Sequence, residues 1–155
     1  CDIAFLRSES SSVKEFNSIP YMIDYLTAVL PATHPLANAD NLPFEQLRGE
    51  TFLLFPEHSF INDLCIRECR NAGFEPHIAY TGNRGATLID LVRNGAGITL
   101  MMHHSARQEN DSSLAFIPVT PGIYSYISLN YAKEKPLSPQ AESFVRYVKA
   151  HKRDF

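Results

Sequence analysis

The sequence predicts an α/β fold in which helices cover both faces of a mostly parallel sheet. Apolar runs of strand length alternate with helical stretches through the middle of the chain. Strands joined through helices run parallel, because the crossover returns the chain to the same end of the sheet. The stretch "LVRNGAGITLMM" (Leu91 to Met102) shows this order on its own.

Gly95 is predicted to lie just past a helix C-terminus, and Gly97 to let the backbone turn tightly into the sheet, so the two are not expected to form a phosphate loop. Leu88, Leu91 and Val92 lie at helical spacing before them, and the apolar run "GITLMM" follows. Phosphate-binding glycine loops have the opposite order, since they follow a strand and open a helix. The pattern therefore excludes a nucleotide site here.

The first half of the chain predicts three strands and a capped helix. The strands are "DIAFLR" ending at Arg7, "YMIDYLTAVLP" closed by Pro31, and "ETFLLFP", the last preceded by a short helix around Phe44 to Leu47. A longer helix is predicted from about Phe60 to Ala72. Ser59 is its expected N-cap, and Gly73 is expected to end it.

The second half continues the alternation. The predicted elements are the strand "PHIAYTG", the helix "ATLIDLVRN", the strand "GITLMM", a short helix near Ser105 to Glu109, and the strands "LAFIPV" and "YSYISLNYA". The last helix opens with Ser138 as cap and Pro139 as first residue. Its period predicts four buried side chains: Ala141, Phe144, Val145 and Val148.

Composition narrows the class of protein. The chain has 155 residues, 45% hydrophobic and 20% charged, with a net charge of −3. This is a soluble globular composition without the basic face that nucleic-acid binding requires. No apolar run approaches the roughly 20 residues of a membrane span. Because "CDIAFL" resembles the inside of a strand and the chain does not start with Met, we expect a missing N-terminal part.

The three cysteines do not form a disulfide framework. Cys65 and Cys69 are one helical turn apart beside apolar positions. We expect buried free thiols in a reducing cytoplasm rather than metal or redox sites. His103 and His104 are adjacent and therefore point apart, so they do not indicate a metal site. The sequence predicts no cofactor.

The sheet predicts where a ligand binds. In such sheets ligands bind at the carboxyl ends of strands, where helix N-termini point. Two strands end in "EHSF" and "TGNR", and a helix follows each. The candidate binding residues at these rims are Glu57, His58, Ser59, Phe60, Thr81 and Asn83. Arg7, at the end of the first strand, is a further candidate as a donor to a carboxylate.

Each candidate has a structural alternative. Ser59 and Asn83 are equally well explained as helix caps. Arg7 is equally well explained as a solvated charge. For His58 an exposed or hydrogen-bonded side chain is favoured over a catalytic one, and Phe60 is alternatively a packing residue under the loop.

Three segments resemble the effector-binding domain of LysR-type transcriptional regulators. They are "CDIAFLR", "LTAVLPATHPLA" and "LIDLVRNGAGITLMM", which match the family types "xDxAI", "LPxxHPLA" and "xxLVAxGxGIxLLP". The resemblance covers essentially the whole chain. One departure is "LMMHH", which stands where the family usually has "LLP" and a small residue.

The resemblance implies a fold of the periplasmic-binding-protein type II, with two lobes and an effector between them. By this similarity Ala28 to Val119 form the second lobe. Cys1 to Thr27 and Thr120 to Phe155 are then parts of an incomplete first lobe. The DNA-binding winged helix-turn-helix is absent from this chain, so DNA is contacted only through that absent domain.

The resemblance also implies a mechanism. A small-molecule effector stabilises one lobe orientation through its differential affinity. Subunit contacts relay that orientation to the DNA-binding domains in a cytoplasmic homo-oligomer, a dimer of effector domains and a tetramer in the full protein. Arg7, Arg84 and two helix N-termini favour a small carboxylate or other anion, and Phe60 with Tyr80 would accept an apolar body.

Two other functions are possible for a protein of this fold: a transporter's solute-binding protein and an enzyme. The alternative is a periplasmic solute-binding protein of a transporter, which has the same fold but which the cysteines and the "HPLA" pattern disfavour. An enzyme is not expected, because the sequence has no metal-ligand spacing and no Gly-x-Ser-x-Gly elbow. Glu57 with His58 is the only adjacent acid–base pair at the predicted site, and it is weak evidence for catalysis.

Overall fold

The structure, a computed structural model, describes residues 2–107 and 111–151. The strands are β1 (Ile3–Ser8), β2 (Phe16–Pro31), β3 (Leu42–Pro43), β4 (Thr51–Leu54), β5 (His77–Thr81), β6 (Thr99–Met102), β7 (Leu114–Thr120) and β8 (Tyr124–Ala132). The α-helices are α1 (Phe60–Asn71), α2 (Gly85–Arg93), α3 (His103–Ala106) and α4 (Pro139–His151), and a 3-10 helix spans Phe44–Leu47.

The chain forms two compact units. The first unit combines Cys1–Asp24 with Tyr124–Phe155, and the second unit is Tyr25–Ile123. The chain therefore passes between the units twice, and β2 contains the first of these passages. The division lies within four residues of the bounds predicted for two lobes.

In the first unit, β1, β8 and the beginning of β2 form a sheet in the order β1-β8-β2. β1 and β8 are antiparallel, with Arg7 opposite Ile127. α4 packs on this sheet and contributes Val145 and Val148 to a core with Ile19 and Leu129.

The prediction that Phe144 is buried is wrong. Its side chain is 41% exposed, whereas Ala141, Val145 and Val148 are buried as predicted. Phe144 lies instead at the border of the helix face, edge-on to Phe5 with ring centroids 6.4 Å apart. The helical period places it beside the core, next to Phe5 of the edge strand β1.

In the second unit, the sheet is mixed. The end of β2 pairs antiparallel with both β6 and β7. The expected parallel pairing occurs between β3 and β7 and between β4 and β5, and a parallel bridge joins Phe52 to Ile98. β2 differs because it enters this unit from the other one and not through a βαβ crossover.

Helices cover both faces of this sheet, as predicted. Leu100 and Met102 of β6 pack in one core with Leu64, Cys65 and Cys69 of α1. Met101, which points the opposite way, packs in a second core with Leu88, Ile89 and Val92 of α2. The alternation along β6 thus assigns one face of the strand to each helix.

Local signals fix several element ends. Ser59 accepts a hydrogen bond from the Asn62 amide at 3.3 Å and so caps α1, and Gly73 follows the helix with a φ of 80°. Gly95 has a φ of 76° just beyond α2, in the left-handed region that glycine adopts at little cost. The predictions that Gly73 ends α1 and that Gly95 lies just past the end of α2 are both confirmed.

Three details differ from the sequence-based predictions. β3 was not predicted, because two residues are too few to show a period. β2 begins at Phe16, upstream of the predicted start at Tyr21. α3 begins at His103 rather than near Ser105, and Glu109, its predicted end, lies outside the described residues.

Within the described ranges, none of the helices combines the length and the apolar character needed to cross a membrane.

Candidate effector-binding site

The loops that follow β4 and β5 start side by side. The two strands are parallel, with Leu54 paired to Thr81 at their carboxyl ends. The amide of Gly82 then donates to the carbonyl oxygen of Leu54 at 3.0 Å. The two junctions predicted as ligand rims are therefore adjacent in the second unit.

The loop that enters α1 is held by two side chains. Ser59 caps the helix, and the side-chain amide of Asn62 donates to the carbonyl oxygen of Phe55 at 2.8 Å. Asn62 is only 1% exposed. His58, between these anchors, is exposed and has a φ of 63°, a left-handed conformation that histidine adopts more often than most residues.

A cavity of about 450 Å³ lies beside these loops. Its lining residues are Glu57, His58, Asn62, Asp63, Ile66, Ile78, Ala79, Tyr80 and Thr81. Two carboxylates and one imidazole give the cavity a polar side, while Ile66, Ile78 and Tyr80 give it an apolar side. The Tyr80 ring lies against Gly82, and a Cβ at position 82 would contact its edge at 2.7 Å.

The structure brings three of the predicted residues together. Glu57, His58 and Thr81 line the cavity. Ser59 caps α1 at its edge, and Phe60 is partly buried against the core of the second unit. The alternative of Phe60 as a packing residue therefore fits its surroundings.

Asn83 is exposed and does not cap α2. The N-cap of that helix is Arg84, which makes no side-chain cap hydrogen bond. Gly85 opens the helix close to the side chains of Phe55 and Met101. Asn83 as an effector contact stays a prediction.

Arg7 lies in the first unit and is bonded within it. Its Nη1 and Nη2 atoms each donate to Oδ2 of Asp24 at 3.3 Å, and Nη1 also donates to the Ser125 hydroxyl at 2.5 Å. Its charge is therefore matched by a carboxylate that is 2% exposed. The alternative that Arg7 is only a solvated charge at a strand end is therefore wrong. Its contact with an effector stays a prediction.

Five lining residues were not predicted from the sequence: Asn62, Asp63, Ile66, Ile78 and Ala79. Asn62, Asp63 and Ile66 follow from the helical period, since they lie one turn and two turns beyond His58 along α1. Ile78 belongs to β5, all of whose residues are exposed. Strands of α/β domains are usually covered by helices, and for this reason Ile78 was not predicted to line a cavity.

Cys65 and Cys69 are buried free thiols, as predicted. Burial raises the pKa of Cys65 well above its usual value and raises the pKa of Cys69 to about 12, with nearby acidic groups adding to both shifts. Both therefore remain protonated at neutral pH. Across the described residues, no cluster of three or more His, Cys, Asp or Glu side chains could hold a metal ion.

Comparison with known proteins identifies the same fold and shows which family the chain belongs to. The model of the LysR substrate binding domain matches residues 1–153. The transcriptional dual regulator GltC of Bacillus subtilis is 26% identical over 148 residues, 95% of this chain and 49% of GltC. The regulator OxyR of Escherichia coli K12 is 25% identical over 152 residues, 97% of this chain and 49% of OxyR.

A solved structure shows the similarity in three dimensions. The regulatory domain of Synechocystis PCC6803 CcmR, in complex with 2-PG, aligns with a TM-score of 0.87 at 17% identity. The alignment covers 99% of this chain and 74% of that one. At this identity the likeness concerns the fold alone.

These observations define an α/β domain of the periplasmic-binding-protein type II. The chain belongs to the LysR substrate binding domain family. Its curated relatives are bacterial transcriptional regulators rather than enzymes, and the chain spans about half of their length.

Proposed function

We propose that the chain is the effector-sensing domain of a LysR-type transcriptional regulator and binds a small carboxylate at the cavity beside α1. The observation that carries this proposal is the adjacency of the β4 and β5 carboxyl ends, next to a capped helix N-terminus and a cavity of about 450 Å³. In open α/β sheets, ligands bind at strand ends of this kind.

The first turn of α1 supports an anionic group. Phe60 and Ile61 lie in that turn, where backbone N–H groups have no partner within the helix. The helix dipole adds attraction for a negative charge, typically about 0.3–1 kcal/mol. His58 supplies a ring N–H donor at the same edge of the cavity.

The two carboxylates of the cavity restrict the rest of the ligand. Glu57 and Asp63 repel a second anionic group placed near them. Ile66, Ile78 and Tyr80 offer an apolar surface to a hydrocarbon or aromatic body. We therefore propose a ligand with one carboxylate, an apolar body, and no second negative charge.

Signal transfer follows from differential binding. The effector stabilises one arrangement of the protein only to the extent that it binds that arrangement more tightly. DNA-binding domains would respond through subunit contacts in a cytoplasmic homo-oligomer, with effector domains paired and the full protein a tetramer. The regulator relatives support this function over that of a transporter's solute-binding protein.

Calorimetric titration with a matched panel tests the ligand class. Benzoate, phenylalanine, benzylamine and benzyl alcohol share one ring and differ in charge. We expect heat of binding from benzoate or phenylalanine and none from the other two. Binding by benzylamine or benzyl alcohol alone would contradict an anionic effector.

A variant of the cavity wall tests the location. Tyr80→Ala removes an aromatic contact of the cavity and should weaken binding by up to about tenfold, the energy of one aromatic pair. Tyr147→Ala, an exposed tyrosine of the other unit, is the matched control and should leave the affinity unchanged. Equal effects of the two variants would argue against the cavity.

A further inference from the structure

The side-chain amide of Asn62 is held by only one of its two ends. Its Nδ2 atom donates to the carbonyl oxygen of Phe55 at 2.8 Å, and this bond fixes which end of the amide is the nitrogen. The oxygen, Oδ1, therefore points away from Phe55. No hydrogen bond from residues 2–107 or 111–151 reaches this oxygen.

The Oδ1 atom of Asn62 is an acceptor that opens to the cavity. Asn62 is only 1% exposed, and it is one of the lining residues. Among the described residues, the single side-chain polar atom that is both fully enclosed and unpartnered is Oγ1 of Thr99. Oδ1 of Asn62 is unpartnered but not enclosed, so it is reached from the cavity. A buried acceptor without a partner is unfavourable, and a ligand that brings a donor removes this cost.

The charged groups beside Asn62 are acceptors as well. Glu57 precedes α1 and Asp63 follows Asn62 in its first turn, and both side chains are exposed at the cavity. An ionised carboxylate only accepts hydrogen bonds, and it attracts positive charge. A protonated amine supplies three N–H donors and a positive charge. It is therefore the donor group that this side of the cavity favours.

A carboxylate of the same ligand finds separate donors close by. The first-turn amides of Phe60 and Ile61 and the ring N–H of His58 lie within one helical turn of Asn62. In an α-amino acid the ammonium and the carboxylate are bonded to one carbon atom, so a single turn of helix can serve both groups. The apolar side of the cavity is then left for the amino-acid side chain.

We propose that Asn62 is a specificity-determining residue and that its Oδ1 accepts a hydrogen bond from the ammonium group of an α-amino acid with an apolar side chain. This inference rests on the proposed function, because the carboxylate of the amino acid is the anionic group proposed there. It adds a cation that the ligand must also carry.

Isothermal titration calorimetry with matched pairs of compounds tests the ammonium group. L-Phenylalanine is compared with 3-phenylpropanoate, and L-leucine with 4-methylpentanoate, since each pair differs only in the ammonium group. Phenethylamine, which lacks the carboxylate, completes the panel. We expect an amino acid to bind about thirtyfold more tightly than its deaminated analogue, the effect of one hydrogen bond with a charged donor.

Asn62→Leu tests the acceptor. The ratio of the two affinities in a pair should fall about tenfold, because the ammonium loses its partner while the deaminated analogue loses nothing. Loss of the bond to Phe55 alone would weaken both compounds equally and leave the ratio unchanged. Asn71→Leu makes the same change at an exposed position of α1 outside the cavity and should keep the native ratio.

Asp63→Asn keeps the test decisive if Asn62→Leu does not fold. This exposed, isosteric change should weaken binding of the amino acid about threefold and strengthen binding of the deaminated analogue, because the carboxylate attracts the ammonium and repels the anion. A merely structural effect would move both affinities in the same direction. Asp40→Asn, an exposed site outside the cavity, is the matched control and should change neither affinity.

The panel separates failure of this inference from failure of the proposed function. Equal affinities within each pair would overturn the amino-acid ligand and leave the anionic ligand standing. Binding of phenethylamine alone, or of none of the five compounds, would overturn both. A native affinity ratio in folded Asn62→Leu would overturn the role of Asn62.

Discussion

The backbone amide of Ile98 donates a hydrogen bond to the carbonyl oxygen of Thr51 at 2.8 Å, and this contact sets the approach of two strands in the second unit. Gly97 precedes Ile98 with a φ of 156°. A Cβ at position 97 would lie inside van der Waals contact with the Thr51 oxygen. Glycine is therefore required here for close backbone approach.

Gly97→Ala should destabilise the chain by about 3 kcal/mol, the upper end of the cost of a strained position. Gly95→Ala is the matched control, since it adds the same methyl group at a positive φ with nothing within 4 Å. The control should cost about 1 kcal/mol. Urea unfolding followed by circular dichroism measures both, and equal losses would contradict the close-approach argument.

Ser59→Ala should destabilise α1 by about 1 kcal/mol, because the Asn62 amide loses its side-chain acceptor. Ser59→Asn keeps an acceptor at the cap and should stay within a few tenths of a kcal/mol of the natural chain. Amide exchange in the first turn of α1 reports the change. Unaltered protection in Ser59→Ala would mean that the Asn62–Phe55 hydrogen bond alone holds this end of the helix.

Cys65 and Cys69 should not react with a thiol reagent or with hydrogen peroxide in the folded chain at neutral pH. Both are buried, and the thiolate is the reactive form. In a Cys1→Ser background, both should react after unfolding in guanidinium. Fast oxidation of either thiol in the folded chain would contradict this prediction.

The raised pKa of the Cys69 thiol should make the folded chain less stable at alkaline pH. The pKa of Cys69 is raised from 9.0 to about 12 in the folded chain, so the folded thiol keeps a proton that the unfolded thiol loses. Its stabilising contribution is complete below pH 9 and falls as pH rises toward 12, by about 1.4 kcal/mol per pH unit. Cys69→Ala should make this decline shallower, and an unchanged slope would contradict it.

The first unit should associate at high concentration. Phe5, Phe144 and Tyr147 are 41–59% exposed, and they border an apolar groove of about 460 Å³. Exposed apolar patches promote association between proteins. Size-exclusion chromatography over a concentration series should show an apparent mass that rises with concentration, and Phe144→Lys should reduce the rise. A concentration-independent monomer would count against this expectation.

Helix ends could be predicted because their signals are local. Ser59 with Gly73 bounds α1, and Ser138 with Pro139 opens α4, where the Ser138 hydroxyl accepts from the Ala141 amide at 3.3 Å. Each signal acts within four residues and depends little on the rest of the fold. The cap of α2 could not be predicted in the same way, because Gly85 starts that helix against side chains distant in sequence.

The partner of Arg7 could not be read from the sequence. Asp24 lies 17 residues away and Ser125 lies 118 residues away, so their meeting depends on the strand order β1-β8-β2. That Glu57, His58 and Thr81 lie around one cavity could be predicted, because the strand-end rule needs only element order. Asp63, one turn into α1, adds to the cavity a carboxylate that was not among the predicted site residues.

The site of effector binding is the central claim, and amide chemical shifts in a titration with benzoate test it most directly. We predict that the largest shifts fall on residues 57–62 and 80–82, at the α1 end of the cavity. Benzylamine at the same concentration should leave these amides unshifted. Shifts confined to other parts of the chain, or shifts of these amides with benzylamine and not with benzoate, would contradict the account.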